Sequence, residues 1–167
     1  MAGLISINKP HTDNIFSGDK GLEWRKKPLP EDLYYVYETK NKGGCGMVIG
    51  EMRITGSKAV DTSGPLEVCL VNAGCVHPVT LKKYANNGTV YANFIQNARR
   101  YDNPKPLKEF YIKCNEGCEN CHLWKSIRVN SEEFDMECAS EYYGHIPLSR
   151  PPQSWCHVEE NQYGSLE

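Results

Sequence analysis

Ser17-Gly18-Asp19-Lys20-Gly21-Leu22-Glu23-Trp24-Arg25-Lys26-Lys27-Pro28 is the stretch from which the rest of the chain is read. Gly18 and Gly21 are turn formers, because glycine takes φ > 0 without steric cost. From Leu22 the order apolar, charged, apolar, charged has the period of a β-strand with one buried face. On such a strand Glu23 and Arg25 share one side, and Leu22 and Trp24 share the other. Lys20 stands just upstream, where the turn aims it at the charged side and at the rim of any site there. Two readings follow. Either a lysine, a carboxylate and a guanidinium converge on one spot, or the strand lies at a sheet edge with its charges solvated.

Working outward, Leu4-Ile5-Ser6-Ile7 is a short apolar strand stopped by Asn8-Lys9-Pro10. Thr12 or Asp13 is placed to cap a short helix that Gly18 ends. Pro28 and Pro30 mark a loop. Tyr34-Tyr35-Val36-Tyr37-Glu38 reads as a central strand, Lys42-Gly43-Gly44-Cys45-Gly46 as a hairpin turn, and Met47–Ile54 as the returning strand. Residues 55–75 read as loops around a short apolar piece, and Val76–Tyr84 as a short helix. Thr89–Tyr101 fits helix or strand. Asn103-Pro104-Lys105-Pro106 reads as a turn, after which Leu107–Ile112 brings the chain to a cysteine cluster. Short strands with few helices predict an α+β, mainly β fold, a small barrel with short flanking helices.

The 167 residues suit one domain with an appendage. The net charge of −2 conceals an asymmetry: residues 1–113 carry 16 Lys/Arg against 11 Asp/Glu, and residues 114–167 carry 3 against 10. A basic body suits a phosphate-bearing partner, and an acidic tail suits a protein partner better than nucleic acid. There is no apolar run of membrane length and no signal-peptide pattern, so the expectation is a cytoplasmic protein, with no membrane partner, whose eight cysteines are thiols or metal ligands.

Cys114-x-x-x-Cys118-x-x-Cys121 sets three soft ligands in a polar loop. Tetrahedral zinc needs a fourth ligand; Cys138 is the first choice, ahead of His122, Cys156 and His157, and the expected zinc is structural. The same spacing occurs in radical S-adenosylmethionine enzymes, but 167 residues do not supply their large barrel. Cys45, Cys69 and Cys75 read as packed small hydrophobes. Trp155, after Pro151-Pro152, reads as packing back on the barrel or stacking on a base.

Gly18-x-Lys20-x-x-Glu23-x-Arg25, preceded by Leu4–Pro10 and followed by Tyr34–Thr39, Met47–Glu51, Tyr91-Ala92 and Pro104–Phe110, resembles the ASCH domain of the PUA-like superfamily. The resemblance spans about residues 4–112. It implies a PUA-like β-barrel over residues 1–113 and a strand at Thr89–Tyr101, and the cysteine spacing adds a Cys-rich zinc-loop extension and tail over 114–167. By the same resemblance the ligand is nucleic acid, RNA before DNA, or a modified nucleoside, held beside Lys20, Glu23 and Arg25. Those residues suit the chemistry, with Tyr37 or Tyr35 to stack a base. One bacterial branch of the family resembles a small amidohydrolase on N4-acetylcytidine, with a lysine and a threonine in this segment. Lys20 matches the lysine, but Glu23 stands where the threonine would be, and would have to serve as general base instead. A protein-interaction adaptor using the acidic tail is the third expectation.

Overall fold

The structure, a computed structural model, describes residues 2–113 and 145–160. In chain order the elements are β1 (Ala2–Ile7), α1 (His11–Ser17), β2 (Leu22–Arg25), β3 (Asp32–Glu38), β4 (Met47–Asp61), α2 (Val68–Ala73), α3 (Pro78–Ala85), β5 (Thr89–Lys105), β6 (Phe110–Lys113), β7 (His145–Pro147) and β8 (Trp155–Glu160). Six strands form a sheet in the order β2-β5-β4-β3-β1-β8, and the far half of β8 continues it to β6 and β7. Only β1 and β3 run parallel among the described strands; the other pairs are antiparallel.

A parallel pair needs a crossover, because a tight turn cannot return a chain in the same direction. Residues 8–31 are that crossover, and they carry α1, Lys20 and β2. Alternation along β1 and β3 sends side chains to opposite faces of the sheet. Ile5, Ile7, Tyr34 and Val36 pack with Ile15 of α1 and with Met52 and Ile54 of β4. Leu4, Tyr35 and Tyr37 pack on the other face with Val48, Phe110 and Val158. A third cluster joins Leu22 and Trp24 of β2 to Val60, Val90 and the helix residues Leu70 and Leu81.

The fold is mostly β with few short helices, as the patterning predicts, but the sheet does not close into a barrel. The reason lies at β1. One edge of β1 pairs with β3, and the other is taken by β8, with Leu4 opposite Cys156 and Ile5 opposite Trp155. Ser6 continues this seam: its N–H donates to Ser154 O at 3.1 Å and its hydroxyl to Pro152 O at 2.7 Å. With both edges of β1 occupied, β2 pairs with β5 alone and ends the sheet. Trp155 packs against the first cluster, edge-on to Tyr34 at 5.8 Å between ring centres.

Several local expectations shift, each for a physical reason. The ambiguous Thr89–Tyr101 is a strand, and it runs on through the anticipated turn to Lys105 because β4, itself extended to Asp61, supplies a partner along its length. Neither Thr12 nor Asp13 caps α1; Pro10 is the cap residue, while Gly18 ends the helix at φ +88°. Cys45 and Cys69 are exposed and Cys75 half-buried, so they are not core hydrophobes; they sit in turns and on a helix surface.

A buried asparagine ties β2, β5 and the proline loop together. Asn93 Nδ2 donates to Glu23 O at 2.9 Å, and its Oδ1 accepts from Leu29 N at 2.8 Å and from the Ser57 hydroxyl at 2.5 Å. Asn93→Ala leaves these groups unpaired in the interior and is expected to cost about 1–3 kcal/mol of unfolding free energy. A urea melt reads this directly; an unchanged midpoint would show that the loop is held by other contacts.

Candidate functional site

Lys20, Glu23 and Arg25 come together. Glu23 lies between the two cations, with Oε2 3.4 Å from Lys20 Nζ and Oε1 3.1 Å from Arg25 Nε. None of the three is splayed into solvent: Lys20 is 2% exposed, Glu23 9%, and the Arg25 side chain 14%. The alternation of β2 holds, since Leu22 and Trp24 are in the third cluster. Its charged side is nevertheless covered as well, so β2 is not a half-exposed strand. Lys20 lies deep in the cluster rather than at a rim.

Lys20 is placed by tertiary contacts. Its N–H donates to Asn14 O of α1 at 2.8 Å, and its Nζ donates to Gly74 O at 2.6 Å. The neighbouring Gly21 N–H donates to Ala73 O at 2.9 Å, and Cys75 Sγ donates to Asp19 O at 3.2 Å. Residues 19–21 are thus strapped to the end of α2. Gly74 has no room for a side chain there, because a Cβ would run into the Trp24 indole nitrogen. Arg25 is held at its other end by Nη2 donating to Ser6 O at 2.8 Å. That bond spans the seam where β2 and β1 do not pair. Arg25 Nε is near Glu23 but out of line for a hydrogen bond.

His11, at the start of α1, feels the charges of this cluster, which sequence reasoning missed. Its Nδ1 is buried and has no hydrogen-bond partner among the described residues. Burial, the Lys20 ammonium and then Lys42 and Arg25 hold its pKa below the ordinary 6.5, against the opposing pull of Glu23. A lone histidine after a proline carries no signal of its own; only the fold brings it beside the charges of β2.

Thr12 and Glu38 form a separate buried pair. The Thr12 hydroxyl donates to Glu38 Oε1 at 2.7 Å, and the Cys45 N–H donates to Glu38 Oε2 at 2.8 Å. This latches α1 to β3 and to the turn before β4. Tyr37, expected to stack a base, is not brought to the site: it is 5% exposed and packs in the second cluster, on the opposite face of β3 from Glu38. Tyr35 shares that cluster, tilted against Phe110 at 4.9 Å. Lys20 also borders an open depression of about 370 Å³ between the end of α1 and β5, lined in addition by Phe16, Gly18, Ile95 and Asn97.

Cys114, Cys118, Cys121 and Cys138, the expected zinc ligands, lie outside the described residues, as does His122. Cys156 sits opposite Leu4 in the β1–β8 pair, and His157 lies edge-on to Trp155. Among the described residues no helix is long and apolar enough to cross a membrane.

No protein-family model and no curated protein matches this chain. Solved structures do. The ASCH protein of Zymomonas mobilis, ZmASCH, superposes with a TM-score of 0.57 at 18% identity, covering 95% of this chain and 87% of that one. A tyrosine-to-phenylalanine variant of ZmASCH gives 0.58 at 17% identity, covering 96% and 91%. A serine-to-alanine variant gives 0.57 at 15%, covering 96% and 89%. At this level of identity the likeness establishes the fold: the chain has the ASCH-domain fold.

The Glu38 latch yields a pH prediction. Burial alone pushes the Glu38 carboxyl up, but the hydrogen bonds from Thr12 and Cys45 outweigh it and leave the pKa below the ordinary 4.5. A folded pKa lowered in this way contributes stability above the unfolded value and loses it as pH falls through the folded one. Wild-type stability should therefore fall below about pH 4.5, and Glu38→Gln should be less stable at neutral pH and show a shallower acid decline. Urea midpoints measured from about pH 7 to about pH 3 check this; parallel declines would show that Glu38 contributes nothing to acid sensitivity.

Proposed function

We propose, with the ASCH-domain fold as premise, that this protein binds RNA or a modified nucleoside through the Lys20–Glu23–Arg25 site. The observation that carries this reading is the burial of three charged side chains at one place. Buried ion pairs are weak devices for stability, since well-packed apolar residues in their place are often neutral or better. A lysine strapped to a backbone carbonyl, a carboxylate between two cations and an arginine spanning an unpaired strand edge are the arrangement of a recognition site. Arg25 offers a planar fork to phosphate or a base edge, and Lys20 offers a compact charge.

A second reading rests on the Lys20–Glu23 contact itself. In this reading Glu23 acts as general base on water attacking an acylated cytidine-type nucleoside, an amidohydrolase reaction, and Lys20, 3.4 Å away, offers the positive charge for the developing oxyanion. Thr12 does not replace the missing threonine nucleophile of that branch, because its hydroxyl is fully buried and committed to Glu38.

Three substitutions separate these readings. Arg25→Ala should weaken binding of a single-stranded RNA oligomer by about 1–3 kcal/mol, and Lys20→Ala by a similar amount with a reduced salt slope. Glu23→Gln should spare oligomer binding and abolish any turnover of N4-acetylcytidine. Because it leaves two buried cations uncompensated, its unfolding free energy should fall by about 3–5 kcal/mol. Oligomer binding indifferent to all three changes would place the ligand elsewhere.

The zinc loop is a separate proposal, resting on the spacing of Cys114, Cys118 and Cys121 with Cys138 as fourth ligand. Metal analysis of protein purified without chelator should give close to one zinc per chain, and Cys118→Ser should remove it while the sheet stays folded. Protein free of zinc would overturn it.

A further inference from the structure

We propose that the group this site receives is a singly charged oxyanion, the phosphodiester of a nucleic-acid chain, and that His11 is the fourth member of the site, contacting that group and taking up a proton as it enters. This rests on the nucleic-acid reading of the same site and specifies which part of the ligand goes in.

The first argument is charge. Two cations and one carboxylate leave the buried cluster at +1 among the described residues. An uncompensated charge in the interior is costly, and an anion is the ligand that relieves it. The second argument is donor and acceptor count. Each oxygen of Glu23 already faces a cation, so the acceptor side of the site is largely used. Donors remain. The Lys20 ammonium spends one N–H on Gly74 O and another toward Glu23, out of three, and Arg25 keeps the N–H groups of Nη1 beyond its bond to Ser6 O. A group rich in acceptors and poor in donors fits, which describes a phosphate oxygen rather than an exocyclic amine.

The third argument is His11. Its Nδ1 is a buried polar atom with no partner among the described residues. The charged groups around it are Lys20 from the α1–β2 connection, Glu23 and Arg25 from β2, and Lys42 from the turn after β3. Burial first, and then the three cations among these four groups, hold the His11 pKa below its ordinary 6.5 in the free protein. An oxyanion seated between Arg25 and His11 reverses that balance and favours the imidazolium, which then donates to it. Arg25 and His11 keep part of their surface open to solvent while Lys20 supplies charge from beneath.

The test compares the dinucleotide cytidylyl-cytidine, whose phosphodiester carries one charge throughout, with neutral cytidine. Calorimetry at about pH 7.5 should show the dinucleotide binding at least about tenfold more tightly. The free pKa of His11 lies below 6.5 and rises in the complex, so dinucleotide affinity should increase, by about threefold or more, as pH falls from about 7.5 to about 5.5. Proton uptake should appear as a dependence of the heat on the buffer's ionisation enthalpy. His11→Gln should lose the pH dependence and the proton uptake. Should that variant fail to fold, the wild-type His11 imidazole, followed by NMR, must titrate at higher pH with the dinucleotide than without. Equal binding of cytidine and dinucleotide overturns the inference and leaves the nucleoside-binding reading standing. An unmoved His11 titration, or a pH dependence retained in His11→Gln, also overturns it. Binding of neither probe overturns both readings.

Discussion

The parallel pairing of β1 with β3 is the constraint on which the rest of the structure depends. Two neighbouring strands that run the same way cannot be joined by a hairpin, so the chain must leave the sheet, cross a face and return. Residues 8–31 make that crossing, and every member of the candidate site on α1 and β2 belongs to it. His11 opens the helix, Lys20 follows its end, and Glu23 and Arg25 ride on the strand that the crossover lends to β5. The site is a consequence of topology before it is a consequence of side chains.

The second edge of β1 decides the shape of the sheet. Once β8 pairs there, with Ser6 tied to residues 152 and 154, β2 is left with one partner and the sheet stays open. The gap between β2 and β1 is bridged by a side chain instead of a ladder, through Arg25 reaching Ser6 O. An arginine used in this way is fixed at one end and available at the other, which suits recognition better than a flexible surface arginine would. Lys20 is constrained to a comparable degree by α1 on one side and the end of α2 on the other. Preorganisation of this kind reduces the conformational entropy lost when a ligand binds.

The interior around the site is more polar than an ordinary core, and most of its polar groups are individually satisfied. Asn93 serves four partners at the junction of β2, β4, β5 and the proline loop. Glu38 serves two, and holds α1 down by Thr12. The exceptions among the described residues stand out against that background: Arg25 Nε in the cluster, His11 Nδ1 within reach of its charges, and the Trp24 indole nitrogen against Gly74. Unsatisfied polar atoms concentrated at one place mark where packing has not been optimised for the fold alone.

Much of this was legible in the chain. The alternation Leu22, Glu23, Trp24, Arg25 determined which residues of β2 enter the apolar cluster and which join the charges, because strand periodicity is a property of the backbone. Gly18 determined the end of α1, and β-favouring residues determined β3. What the sequence could not decide is whether β2 closes a barrel, since that depends on which strand takes the free edge of β1, and β8 comes from the opposite end of the chain. The same holds for His11, an isolated residue without a motif, and for Tyr37, whose face was set by the register of β3 against β4. Burial of the Lys20–Glu23–Arg25 cluster was likewise decided by tertiary structure: Gly74, far away in sequence, brings the carbonyl that Lys20 needs, and no local pattern encodes a contact over that separation.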